Sequence, residues 1–167
     1  KIELLMKQAH ITVDNRKVVG AALQRAEETG APAAALELAD GHIITGKTSA
    51  LLGASAALLL NALKHLAGLK DELHLISPSV IEPIQKLKTS YLGSVNPRLH
   101  TDEILIALSI CAATDTNAQL ALEQIPKLRG CQAHSTVMLS TVDIKQFKRL
   151  DIQLTSEAKY ENKRIYH

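Results

Sequence analysis

The chain has 167 residues, 46% of them hydrophobic, which is enough apolar material for one well-buried core. Its 19 Lys and Arg against 17 Asp and Glu leave a formal net charge of +2 with no long run of one sign, which excludes the basic footprint of a nucleic-acid binder. Aromatic residues make up 2% and Trp is absent, so stacking platforms for single strands are lacking and the core must come from Leu, Ile, Val and Ala.

In chain order, residues 14–29 carry Val18, Val19, Ala22, Leu23 and Ala26 at helical spacing, with Asp14 or Asn15 as cap and Gly30 as left-handed stop. The runs 33–38 and 42–45 flank Asp40-Gly41, which predicts a β-hairpin closed by a type I′ turn. A helix is predicted over 50–67, capped by Ser49 or Thr48 and ended by Gly68. It is apolar on nearly every side, which places it centrally against the sheet. A short strand at 74–77 follows, then a helix from Pro78 to Leu87 with Ser77 as cap.

Residues 89–100 lack periodicity and contain Gly93, Asn96 and Pro97, which reads as a loop. Thr101 is expected to cap a second very apolar helix over 103–113, with another helix at 117–127. A strand at 134–140, an amphipathic helix at 143–150 and a last strand at 152–155 complete one α/β domain. A hairpin followed by strand-helix-strand units implies a mixed sheet with helices on both faces. This succession resembles the cytidine-deaminase-like three-layer fold.

No stretch reaches the ~20 apolar residues of a membrane span, since the run at 50–60 leads into Asn61, Lys64 and His65. Cys111 and Cys131 form no CxxC pair, which fits a reducing compartment and makes the cytoplasm the expected location. The chain opens at Lys1 in a segment that already reads as structured, so a preceding domain of a longer parent protein is expected.

The sharpest motif is Gly41-His-Ile-Ile-Thr-Gly46-Lys47-Thr48, a formal match to the GxxxxGK[ST] phosphate loop. Such a loop curls its backbone N–H groups around phosphates, and that needs conformationally free residues. The interior His-Ile-Ile-Thr favours extended backbone instead, and no later apolar run ends in the Asp that would complete a magnesium site. Residues 41–48 are therefore predicted to be the hairpin turn and its second strand.

A deaminase zinc site needs His- or Cys-x-Glu at the start of the central helix and Pro-Cys-x-x-Cys before the next. Ala50-Leu51-Leu52-Gly53 and Pro78-Ser79-Val80 stand there, so no metal or other cofactor is expected. The seven histidines show no HxxxH or HxH spacing, and His42 and His65 read as ordinary surface or half-buried residues.

Two polar clusters remain. Asn96-Pro97-Arg98-Leu99-His100-Thr101-Asp102-Glu103 sets a cation, an imidazole and a hydroxyl at a helix entrance, where free N–H groups favour an anion. Cys131-Gln132-Ala133-His134-Ser135-Thr136 opens a strand, where Cys131 and His134 point to opposite faces and so form no local nucleophile pair.

Taken together, Gly46-Lys47-Thr48-Ser49, Leu52-Gly53-Ala54-Ser55-Ala56, Asn96-Pro97-Arg98-Leu99-His100 and Gly130-Cys131-Gln132-Ala133-His134-Ser135-Thr136 resemble the C-terminal part of an uncharacterised bacterial family. It is the domain of unknown function family 1846, and the closing Lys163-Arg164-Ile165-Tyr166-His167 resembles its usual ending. The resemblance implies a C-terminal α/β domain of a longer bacterial cytoplasmic protein and supplies no reaction. Relatives labelled ATP-dependent zinc peptidases would need a working nucleotide loop and a motif such as HExxH, and the latter is absent.

The leading expectation is a domain that contributes to a small anionic-ligand site and to homo-oligomeric assembly. Its candidate ligand residues are Lys47, Thr48, Ser49, Asn96, Arg98, His100, Thr101 and His134. The alternatives are a P-loop ATPase or ATP-dependent peptidase, and a purely structural oligomerisation module burying exposed faces of the two apolar helices.

Overall fold

The computed structural model describes residues 16–158. The elements are α1 (Lys17–Thr29), β1 (Ala33–Glu37), β2 (Ile43–Lys47), α2 (Ala54–Leu66), α3 (Pro78–Lys86), a π-helical turn (Leu87–Tyr91), α4 (Thr101–Cys111), α5 (Thr116–Leu122), a 3-10 turn (Ile125–Leu128), β3 (Gln132–Ser135), α6 (Thr141–Arg149) and β4 (Gln153–Ser156). They build an α/β structure around a four-stranded mixed sheet in the order β2-β1-β3-β4. β1 pairs antiparallel with β2 and β3, and β3 pairs parallel with β4.

β1 is central, and Ala33 to Leu36 are buried because helices cover both faces. Ala35 packs with Val18, Val19 and Ala22 of α1 on one face. Ala34 and Leu36 join Leu58, Leu59 and Leu63 of α2 on the other, where α4, α5 and α6 complete the larger core. That core is aliphatic as composition requires, with the single Phe of the chain, Phe147, also buried.

β2 approaches α2 unusually closely. A Cβ added at Gly46 would lie 2.3 Å from the Leu58 nitrogen and 2.8 Å from the Ala54 carbonyl oxygen, so only glycine fits there. Asn61 Nδ2 donates to the Thr45 carbonyl at 2.9 Å and fixes the same register one turn further along.

Several local expectations are corrected. The hairpin forms, but Gly41 alone takes positive φ at its turn: Gly41 N–H donates to Leu38 O and Leu38 N–H to His42 O, a three-residue connection rather than type I′. α2 begins at Ala54 with Gly53 as N-cap, not at 50 under Thr48 or Ser49. The Ser49 hydroxyl instead accepts from Leu51 and Leu52 N–H and closes a turn. The strand expected at 74–77 does not form, although Leu75 and Ile76 are buried, and Ser77 makes no side-chain cap to α3. β3 ends at Ser135 instead of running to 140, because the Ser135 hydroxyl donates to Val137 O and turns the chain. The Asp14 or Asn15 cap lies outside the described residues.

Candidate functional site

Among the described residues, a cleft of about 610 Å³ gathers polar and titratable groups: it is lined by Gly53, Ala54, Ser55, Asn96, Arg98, His100, Ser140 and Asp143, with Val95, Met138 and Ile144 among its apolar lining. It follows from how three helices are launched. A parallel bridge joins Leu52 to Leu99, with Gly53 N–H donating to Leu99 O and Leu99 N–H to Leu51 O. The segments entering α2 and α4 are thereby held side by side. β2 leads into the first of them, and β3, running in the same direction, leads into the start of α6. The cleft therefore sits beyond the carboxyl ends of two strands, where open α/β sheets commonly place ligands.

Three helix N-termini meet there. Ser140 caps α6 by accepting from Asp143 N–H at 3.2 Å. α4 has His100 as N-cap with Thr101 first in the helix, so Thr101 is not the cap that its hydroxyl suggested. Glu103 Oε1 accepts from His100 N–H at 2.8 Å and from the Lys88 ammonium at 2.8 Å. α2 differs: Gly53 has no side chain, no side-chain cap bond forms among the described residues, and no acidic residue stands in its first turn. Its N-terminus opens on the cleft, and the Asp143 carboxylate reaches its first turn through the Ser55 hydroxyl.

Asp143 is the centre of the arrangement. Its Oδ1 accepts from Thr101 N–H at 3.0 Å and from the Thr101 hydroxyl at 2.7 Å, its Oδ2 accepts from the Ser55 hydroxyl at 3.0 Å, and His100 Nδ1 lies 3.7 Å from Oδ2. Burial pushes the Asp143 carboxyl up, but the attraction of His100 and the bonds from Thr101 outweigh it and hold the carboxyl below its ordinary range. The same carboxylate raises His100 above its usual value, against partial desolvation and the Lys88 charge. Ser55 gives its proton to the Asp and not to the imidazole, so the trio lacks the Ser-to-His hydrogen bond of a nucleophilic relay. The anion expected at the Thr101 helix entrance is thus supplied by the chain itself.

The residues singled out by sequence are distributed unevenly. Asn96, Arg98 and His100 line the cleft, and Thr101 lies buried behind Asp143. Arg98 Nε donates to Ser49 O, while Lys88 donates to Arg98 O, so the loop is clamped from both sides. Lys47 is exposed at the end of β2, and Thr48 is buried with its hydroxyl unpartnered among the described residues. Neither lines the cleft, and residues 43–47 form a strand, not a phosphate-cradling curl. His134 is 1% exposed on the α1 side of the sheet, bonded to Thr155 Oγ1 at 2.7 Å and Glu157 Oε2 at 2.6 Å, away from the cleft. Cys131 is buried, and desolvation pushes its thiol up, so it is poorly suited to act as a thiolate.

Ser55, Lys88, Ser140 and Asp143 were missed. The readable signal was Ser140-Thr-Val-Asp143, a cap pattern at a helix start. Nothing in the sequence placed Lys88 or Ser55, whose partners are 15 and 88 residues away.

Comparison with known proteins adds a family. The model of the domain of unknown function DUF1846, C-terminal, matches residues 14–166. A UPF0371 protein of Corynebacterium efficiens is 56% identical over 99% of this chain, and one of Corynebacterium aurimucosum is 58% identical over 96%. One of Streptococcus pyogenes serotype M3 is 48% identical over 99%. The chain spans about a third of the length of these relatives, at 34%, 32% and 34%.

Proposed function

The chain belongs to the DUF1846 C-terminal family, and from that premise we propose that its cleft binds a small anionic ligand, with parts of the parent protein outside this chain closing over it. The observation that carries the reading is the uncapped N-terminus of α2 opening on the cleft beside Arg98 and His100. The other two helix entrances are already satisfied by Asp143, Glu103 and Ser140. A ligand anion is therefore expected near Gly53 and Ala54, with Asn96 and Arg98 at its side and clear of the Asp143 carboxylate that Ser55 already holds. The rim supports closure: Val95 is 83% exposed, Met138 39% and Ile144 47%, an apolar edge that favours a cover.

The test is calorimetric titration of the full-length protein with inorganic phosphate, beside Arg98→Ala and a thermal melt of both. A charge-assisted bond contributes about 1.5–3 kcal/mol, so the variant is expected to bind roughly ten- to a hundredfold more weakly, and to melt somewhat lower because it also loses the Arg98 Nε bond to Ser49 O. Equal affinity in the two proteins would remove the reading. ATP titrated in parallel is expected to bind no differently in Lys47→Ala.

A second reading, assembly of identical chains, is favoured by α4, where Ile106 is 62% and Ile110 68% exposed on a helix otherwise fixed in the core. The likeness to the cytidine-deaminase-like fold belongs to this proposal too. Its support is the hairpin leading into a central helix packed on the sheet, without zinc ligands at the starts of α2 or α3.

A further inference from the structure

At the opposite end of α2 the fold brings together residues that are far apart in sequence. Asp40 and His42 sit at the hairpin turn and His65 in the last turn of α2, and one ligand atom from each lies within 4.8 Å of the others. His42 Nδ1 is 3.0 Å from Asp40 Oδ2, and the two imidazole rings are 4.7 Å apart between centroids. We propose that Asp40, His42 and His65 bind one divalent transition-metal ion of the zinc class.

The placement is imposed by the core. β2 and α2 run antiparallel, and their contacts advance in step: Gly46 against Leu58, then Thr45 bonded to Asn61, then His42 beside His65. Four strand residues cover about 13 Å. Seven helical residues cover about 10 Å, so the register set by Gly46 delivers His65 to the turn. The turn is itself fixed, because Asp40 Oδ1 accepts from His42 N–H at 2.9 Å and leaves Oδ2 facing the imidazole.

Two imidazole nitrogens and one carboxylate oxygen suit zinc or its first-row neighbours and not magnesium or calcium, which favour all-oxygen sites. Tetrahedral zinc with ligands at ~2.0–2.2 Å needs donor atoms roughly 3.4 Å apart. One pair is already closer than that, and the third donor needs only a small rotation of exposed side chains, Asp40 being 54% and His42 63% exposed. Three protein ligands leave a coordination position open to water or to a group from elsewhere in the parent protein. The site lies about 18 Å along α2 from the cleft, so it stands independently of the anion reading. No sequence spacing announces it, because the ligands come from a turn and a helix joined only by packing.

The test is calorimetric titration of chelator-treated full-length protein with zinc chloride, beside His42→Ala/His65→Ala, His65→Gln and Asp40→Asn. The parent protein is expected to take up one more zinc per chain than the double variant. His65→Gln is expected to weaken that equivalent at least tenfold, and Asp40→Asn, which keeps the turn's acceptor, severalfold. Visible absorption of the cobalt(II)-loaded protein, present in the parent and lost in His65→Gln, gives a second reading if the double variant folds poorly. The same stoichiometry and affinity in the parent and His65→Gln, with unchanged cobalt absorption, would overturn the proposal.

Discussion

Asp143→Ala tests whether the cleft is built around one carboxylate. The substitution removes the acceptor of three bonds, from Thr101 N–H, the Thr101 hydroxyl and the Ser55 hydroxyl, at a position whose side chain is 9% exposed. A buried donor left without a partner costs about 1–3 kcal/mol. The three share one site and are not additive, and removing the carboxylate also removes its own desolvation cost, so the net loss is expected at about 3–5 kcal/mol. For a chain of this size that lowers Tm by roughly 6–20 °C. Asp143→Asn keeps an acceptor toward Thr101, while Ser55 can turn its hydroxyl to accept from the new amide, so its cost is expected at about 1–2 kcal/mol.

Urea unfolding of the parent and both variants gives the free energies, and repeating it across pH isolates the charge. Asp143 is held below its ordinary 3.8, so its contribution is present above that value and lost as pH falls through the depressed one. His100 is raised above its ordinary 6.5, so its contribution is full below that value and lost as pH rises through the raised one. The gap between the parent protein and Asp143→Asn is therefore expected to be widest from about pH 4 to 6.5 and to shrink on both sides. A cost under 1 kcal/mol for Asp143→Ala, or the same cost for Ala and Asn, would refute the reasoning.

Gly46→Ala is expected to destabilise by about 3 kcal/mol or more, because the new methyl meets backbone atoms of α2 that cannot rotate away; a urea midpoint within error of the parent would contradict it. Thr48→Val is expected to leave stability unchanged or raise it by about 1 kcal/mol, since it removes a buried hydroxyl without a partner among the described residues. A thermal melt checks this, and a clear loss would show that the hydroxyl is used.

Local pattern and composition determined a great deal of this protein. Apolar spacing and Gly30 set α1, the β-branched interior of 41–48 made a strand where a motif match suggested a phosphate loop, and the scarcity of aromatics required the aliphatic core. Those are properties of short windows, in which backbone preference and side-chain periodicity act without reference to the rest of the chain. Arg98 and His100 were legible as a helix entrance for the same reason. Tertiary structure decided what faces that entrance. Ser55 and Thr101 converge on Asp143 across 88 and 42 residues, Lys88 clamps the loop from a π-helical turn, and His65 reaches His42 only because Gly46 lets α2 lie flat on β2. A partner chosen by packing leaves no periodic trace in sequence, so the carboxylate that fills the α4 entrance and the imidazole that completes the Asp40 cluster became visible only once the helices were laid on the sheet.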